Sequence, residues 1–191
     1  CDRAVVGGWD RTDEPVHPYT TCDTMDAGWS WQIEHEHAIN RGYVFSSSFI
    51  SDDQAEAEFR QANPKIAGDT RVVRFRAGRY ERIWEKNVVG IGNASGFVEP
   101  LEATALQVIA LESRTLADVL TDGAGKVTPT LRKQFNIFNT TNWDDVRDFL
   151  ALHYKFNEKR DTEFWRHCQA NSPLGRAEEA VSLYQENGPV L

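Results

Sequence analysis

An α+β fold, with strands in the first half and helices in the second, is what this sequence predicts. Three observations carry it. Alternating, β-branched and aromatic runs fill the residues before Leu101, the apolar period turns helical from Leu101 onward, and no repeat or low-complexity segment interrupts that order. Three segments follow: 1–86, a sheet with one short helix; 87–126, a turn and the helix after it; and 127–191, a helical module. With 191 residues, 40% hydrophobic and 26% charged, the chain has the composition of a globular protein with a sizeable core. A net charge of −8 argues against nucleic acid or an anionic membrane as partner.

The elements follow in order. Ala4-Val5-Val6 reads as a strand already under way. Trp29, Trp31 and Ile33 alternate with Ser30, Gln32 and Glu34, which places two indoles and an isoleucine on one strand face. Gly42 to Ile50 is a second strand of aromatic and β-branched residues. Ser51, followed by Asp52 and Asp53, caps a short helix that ends near Asn63-Pro64. Residues 70–76 and 80–84, either side of Ala77-Gly78-Arg79, read as a hairpin, and Val88 to Gly92 as a buried apolar strand.

Leu101, Ala105, Val108, Ile109, Leu116, Val119 and Leu120 predict one helical stripe, closed by Gly123 and Gly125. Thr128-Pro129 opens the next helix. Asn142 with Asp144 and Asp145 opens another, which buries Val146, Phe149, Leu150 and Phe156. Asp161 caps a helix carrying Phe164 and Trp165, and Ser172-Pro173 starts a last one, ending at Gly188-Pro189.

The richest segment is 87–106. A strand that breaks at Gly90, Gly92 and Gly96 lets a flat ligand approach the backbone. The helix that follows offers unpaired N–H groups to an anion. Glu102 at that helix start serves either the helix dipole or chemistry.

Cys1, Cys22 and Cys168 are sparse and odd in number, which fits reduced thiols. Cys1-Asp2-Arg3 lack a leader's charged start and apolar stretch, no apolar run approaches the length of a membrane span, and a cytoplasmic location is expected. Starting in mid-strand without Met, the chain reads as the C-terminal piece of a longer polypeptide. In Glu34-His35-Glu36-His37 the two histidines share a strand face, but no third ligand is near, so no metal is expected.

Gly28-Trp29-Ser30-Trp31-Gln32-Ile33 resembles a W-x-W-x-I-P signature, and Gly96-Phe97-Val98-Glu99-Pro100-Leu101-Glu102-Ala103-Thr104 resembles G-F-[IV]-E-P-L-E-S-T. His153-Tyr154 through Phe164-Trp165 resembles the helical segment of the same family, the flavin-dependent tryptophan halogenases. The resemblance implies the C-terminal part of a flavin-monooxygenase-like, FAD/NAD(P)-binding fold, with a substrate sheet and a helical cap. It implies FAD, reduced by a separate flavin reductase and reacting with oxygen. It implies chloride or bromide, oxidised to a hypohalous acid that reaches a lysine beside an aromatic substrate. No G-x-G-x-x-G unit and no lysine in the family's halogenating motif occur here, so the dinucleotide-binding part is missing and the fragment alone is expected to be inactive.

Site residues carried over from the resemblance are these. Glu102 matches the catalytic glutamate. Thr104 and Ala105 match the residues whose backbone amides hold chloride, with Ala105 in place of glycine and Ala103 in place of serine. Gly92, Asn93, Ala94, Gly96 and Phe97 would face the flavin; otherwise the glycines serve a tight turn alone. Trp29 and Trp31 would screen the flavin site; otherwise they are ordinary core. Glu34 replaces the signature's proline.

Tyr154, Phe164 and Trp165 match the residues around the substrate. Arg160 stands where an acid would meet the substrate's ammonium, and His153 where a tyrosine would. Arginine repels an ammonium, which disfavours free tryptophan and favours an indole or phenol bearing a carboxylate, or a larger molecule. Arg160 in a surface ion pair with Asp161 or Glu163 is the other reading. A hydroxylating flavin monooxygenase and a non-catalytic interaction module are the rival functions. An apolar face left open by the missing part predicts self-association, as a dimer or a poorly soluble chain.

Overall fold

Five antiparallel strands in the order β2-β3-β4-β1-β5 organise the first half of the chain, in a computed structural model that describes residues 1–189. They are β1 (Arg3–Asp10), β2 (Thr21–Met25), β3 (Gly28–Glu34), β4 (Ala38–Phe45) and β5 (Arg71–Arg74). The chain divides into two compact units, residues 1–75 with 154–172 and residues 76–153 with 173–191.

In the first unit the alternation in β3 sets the register. Trp29 lies opposite Val44 and Ser30 opposite Tyr43. One sheet face buries Val5, Met25, Tyr43 and Phe45 against Ala55 and Phe59 of helix α1 (Asp52–Ala62). Ser51 caps α1 as expected, in a full capping box with Gln54. Helix α4 (Glu163–Asn171) packs Phe164, Trp165 and Cys168 with Ala27. Its cap is Thr162, not Asp161: the Thr162 hydroxyl accepts the Trp165 N–H and donates to the Asp26 carbonyl, while Asp161 pairs with Arg166.

The predicted hairpin at 70–84 does not form. β5 adds to the sheet edge beside β1, and residues after 75 belong to the other unit. There β6 (Gly78–Arg79) pairs with β9 (Gly96–Phe97), and β7 (Trp84–Glu85) with β8 (Val88–Val89). The predicted buried strand Val88 to Gly92 is thus a two-residue hairpin arm with Val88 exposed.

Helices α2 (Thr104–Asp122), α3 (Pro129–Lys155) and α5 (Ala177–Asn187) complete the description. Leu116 and Val119 of α2 pack beside Ile83, Trp84 and Phe135. The predicted stripe on α2 is only partly buried, because its inward face is Thr104, Val108 and Glu112 while Ile109 and Leu120 are exposed. The helix start predicted at Asn142 is absent. Phe135, Asn139 and Trp143 form one buried i, i+4, i+8 row that carries α3 through the cap-like residues, and Asp144 pairs with Arg79 instead. Phe149 and Phe156, expected in the core, are exposed. α5 starts at Ala177 and not after Ser172-Pro173, since Asp148 accepts the Arg176 N–H just before it.

Candidate functional site

Two adjoining segments of the second unit hold the residues of the predicted cofactor and halide sites. The first is a 3-10 turn, Gly92–Ala94, followed by Ser95 and β9. Gly92 has φ 61°, and a Cβ there would meet Ile109 at 2.7 Å. A Cβ on Gly96 would meet the Trp143 indole at 2.8 Å. Asn93, Gly96 and Phe97 line a cleft of about 450 Å³ together with Arg76, Ala77, Gly78, Arg79 and Tyr80, the segment that carries β6 beside β9. Gly92 and Ala94 do not line it. Arg79 is committed to Asp144 through two hydrogen bonds of 2.9 and 3.0 Å.

This turn keeps most of its amides for itself. Gly92 N–H donates to Glu112 Oε2 at 2.7 Å, Ala94 N–H to the Ile91 carbonyl and Ser95 N–H to the Gly92 carbonyl. The Ser95 hydroxyl is 2.7 Å from both Glu112 Oε1 and the Gly92 carbonyl, and accepts from Trp143 Nε1 at 2.9 Å. What lines the cleft is therefore the Asn93 side chain, the Tyr80 and Phe97 rings, the Gly78 and Gly96 backbone, and Arg76 and Arg79, a mixture of polar and aromatic surface.

The second segment is the bend before α2. Glu102 and Ala103 have φ 61° and 52°, left-handed values that cost a residue with a Cβ roughly 1–3 kcal/mol each. No side chain caps α2, which follows directly on a 3-10 turn at Leu101–Ala103. The buried Thr104 hydroxyl also has no partner. The N–H groups of Thr104 and Ala105 lie in the first turn of α2, the place in a helix where an anion finds donors. Glu102 stays half-exposed, with His153 Nε2 at 3.5 Å from Oε1. His153 Nδ1 lies 3.2 Å from the Phe149 carbonyl, so donating to that carbonyl and to Glu102 at once takes a proton on each ring nitrogen.

The substrate-side residues lie in the first unit. Tyr154 stacks on Trp165 at 5.7 Å, and Phe164 meets both rings edge-on. Phe164 and Trp165 are buried, and Trp165 Nε1 donates to the Met25 carbonyl. Arg160 pairs with neither Asp161 nor Glu163; its Nη1 donates to Asp26 and Glu58 at 2.6 and 3.0 Å. Trp29 and Trp31 are neighbours on one sheet face, 6.0 Å apart, with Trp29 buried.

His35 and His37 do not share a strand face, because β3 ends at Glu34 and they sit in the turn to β4. Glu34 stays paired in the strand, opposite Ile39. Its carboxylate takes the His17 N–H, the His17 ring, Gln32 and Arg11, and these donors hold its pKa down at about 2. Among the described residues no cluster of three metal-ligating side chains occurs, and no helix is long and apolar enough to cross a membrane.

Sequence reasoning did not single out Glu112, Ser95, Trp143, Arg76 or Tyr80. A signal for Glu112 existed: it stands at i+4 from Val108 and i+8 from Thr104 on one helix face. Nothing in the local pattern marked Arg76 or Tyr80, which reach the cleft through the two-residue pairing of β6 with β9.

The tryptophan halogenase family model matches residues 1–191. Tryptophan 7-halogenase KtzQ of Kutzneria sp. (strain 744) is 38% identical over 99% of this chain and 36% of its own length. Among solved structures, MibH, a lathipeptide tryptophan 5-halogenase, superposes with a TM-score of 0.87 at 37% identity, over 96% of this chain and 34% of its own. BrvH, a flavin-dependent halogenase from Brevundimonas sp. BAL3, superposes with a TM-score of 0.89 at 34% identity, over all of this chain and 39% of its own. The chain spans about a third of the length of these relatives. It belongs to the tryptophan halogenase family.

Proposed function

We propose that this chain contributes the halide-binding bend and the flavin-facing cleft of an FAD-dependent halogenase acting on an electron-rich aromatic ring, as the C-terminal part of a flavin-monooxygenase-like fold. The observation that carries the reading is the start of α2. Two uncapped amides, at Thr104 and Ala105, follow two left-handed residues, one of which presents the Glu102 carboxylate. A halide fits those amides. FAD fits against Asn93, Gly96 and Phe97 together with Gly78, where a Cβ would meet nothing within 4 Å and close approach is open, and with Arg76 and Tyr80 in the same lining. Reduced FAD, once bound, supplies with oxygen the oxidising equivalents that turn halide into electrophilic halogen. Glu102 then accepts the proton released from the ring carbon, and a proton on His153 Nε2, 3.5 Å away, would steady the carboxylate.

The substrate is an indole or phenol-like ring on something other than free tryptophan. Asp26 and Glu58 already hold Arg160, so no acid is offered there to an ammonium. That MibH is a lathipeptide tryptophan halogenase makes a peptide-borne ring a reasonable substrate here. The reading also takes in a separate flavin reductase, a cytoplasmic setting and self-association.

The test is the product mass obtained from the full protein with FAD, a flavin reductase, oxygen and either chloride or bromide. A product that gains chlorine or bromine according to the salt supplied supports the reading. Oxygen insertion independent of halide would replace it with a hydroxylating monooxygenase. Glu102→Gln should lower halogenation by about a hundredfold or more without changing the melt.

A further inference from the structure

We propose that Glu112 is a positioning residue for the ligand of the Asn93–Gly96–Phe97 cleft, and that the Ser95 hydroxyl and the Trp143 indole complete its brace. This rests on the flavin reading of that cleft. Glu112 is fully buried, whereas Leu106, Ile109, Leu111 and Leu120 of the same helix stand in solvent. An acid fully buried on the inward face of an amphipathic helix, one turn after Val108, breaks the helix's pattern, and such breaks mark sites with another task. A buried carboxyl group is tolerated only where its oxygens are hydrogen-bonded.

Both oxygens are spent on one turn. Oε2 takes the Gly92 N–H and Oε1 faces the Ser95 hydroxyl, each at 2.7 Å, so one carboxyl group ties the first residue of the turn to the residue that closes it. Trp143 Nε1 holds Ser95 Oγ from α3, and Cε2 and Nε1 of the same indole lie where a Gly96 side chain would be. Gly92 and Ser95 are buried while Asn93, between them, is exposed at the cleft. The brace therefore fixes the wall of the cleft from behind and touches nothing bound in it.

The test titrates FAD into the full protein and into its Glu112→Gln, Glu112→Ala and Ser95→Ala variants. Flavin fluorescence reads affinity, the visible absorption band reads the flavin's surroundings, and amide hydrogen exchange at Gly92 reads the turn without ligand. Glu112→Gln still accepts the Gly92 N–H and offers an amide N–H to Ser95, so it should bind FAD within about threefold of the native protein, with the same band. Glu112→Ala and Ser95→Ala should bind about tenfold more weakly, shift the band and speed Gly92 exchange by a similar factor. If Glu112→Ala does not fold, Ser95→Ala, which keeps the carboxyl group in place, decides alone. Unchanged affinity and band in Ser95→Ala would overturn the positioning role. If FAD does not bind the native protein, the flavin reading of the cleft falls; Gly92 exchange then judges the brace separately, and equal rates in native and Ser95→Ala protein would overturn it.

Discussion

The Gly92–Ser95 turn and the Glu102–Ala105 bend stand only a few residues apart, yet they treat their polar groups in opposite ways. The turn pairs its amides inward, with Glu112 and with its own carbonyls, and rests on Trp143. The bend holds two side-chain-bearing residues at positive φ and leaves the amides of Thr104 and Ala105 uncapped. A segment that satisfies itself makes a rigid wall. A segment that stays strained and uncapped suits the receptor that the proposed halide site calls for. Fixed wall and open receptor together suit a large flat cofactor set beside a small anion.

The comparison breaks most directly at Trp143. If the turn is a wall propped from behind, removing the prop should cost heavily. Trp143 is 2% exposed and donates to Ser95, so Trp143→Ala should destabilise the protein by about 3–5 kcal/mol, read by denaturant unfolding. A loss below about 1 kcal/mol would mean that the turn holds itself and α3 adds little.

Glu34 supplies a control carboxylate, one with a full set of donors, where Glu102 among the described residues has the His153 ring beside it. Its folded pKa, at about 2, lies below the 4.5 of the free side chain. The stability it contributes is present above pH 4.5 and drains away as the pH falls through about 2. Glu34→Gln should therefore flatten the stability–pH curve of the native protein across that window and leave the curve above it parallel. An unchanged acid limb would show that the donors around Glu34 do not favour its charged form.

Much of the architecture was legible and one class of feature was not. The alternation at Trp29–Trp31–Ile33, the cap at Ser51 and the Thr128-Pro129 start are local signals, and the structure honours each. The break expected at Asn142 failed because the buried row Phe135–Asn139–Trp143 outweighed a cap signal, and burial of two aromatics exceeds what one cap contributes. The hairpin at 70–84 failed because strand partners are chosen by tertiary neighbours: β5 found β1, and β6 found β9. The site divides the same way. Glu102, Thr104 and Ala105 sit in a recognisable run, so their neighbourhood could be read from the chain. Glu112 and Trp143 reach the turn from 17 and 48 residues beyond Ser95; helix spacing could place Glu112 on the inward face of α2, but no local pattern names the turn as its partner.

The bend itself gives the smallest expected effect and the sharpest sign. Ala103 at φ 52° pays for its Cβ, and glycine would not. Glycine also frees the unfolded chain, which offsets part of the relief, so Ala103→Gly should raise stability by only about 0.5–1 kcal/mol. Function should move the other way. With the bend loosened, the amides of Thr104 and Ala105 are no longer held ready for an anion, and the halide KM of the full protein should rise by about two- to fivefold while the melt moves up. A lower or unchanged melting temperature would mean that Ala103 is not strained in the folded protein. A higher one with an unchanged halide KM would mean that the strain is real but does not aim the amides, and the bend would then differ from the turn in geometry and not in purpose.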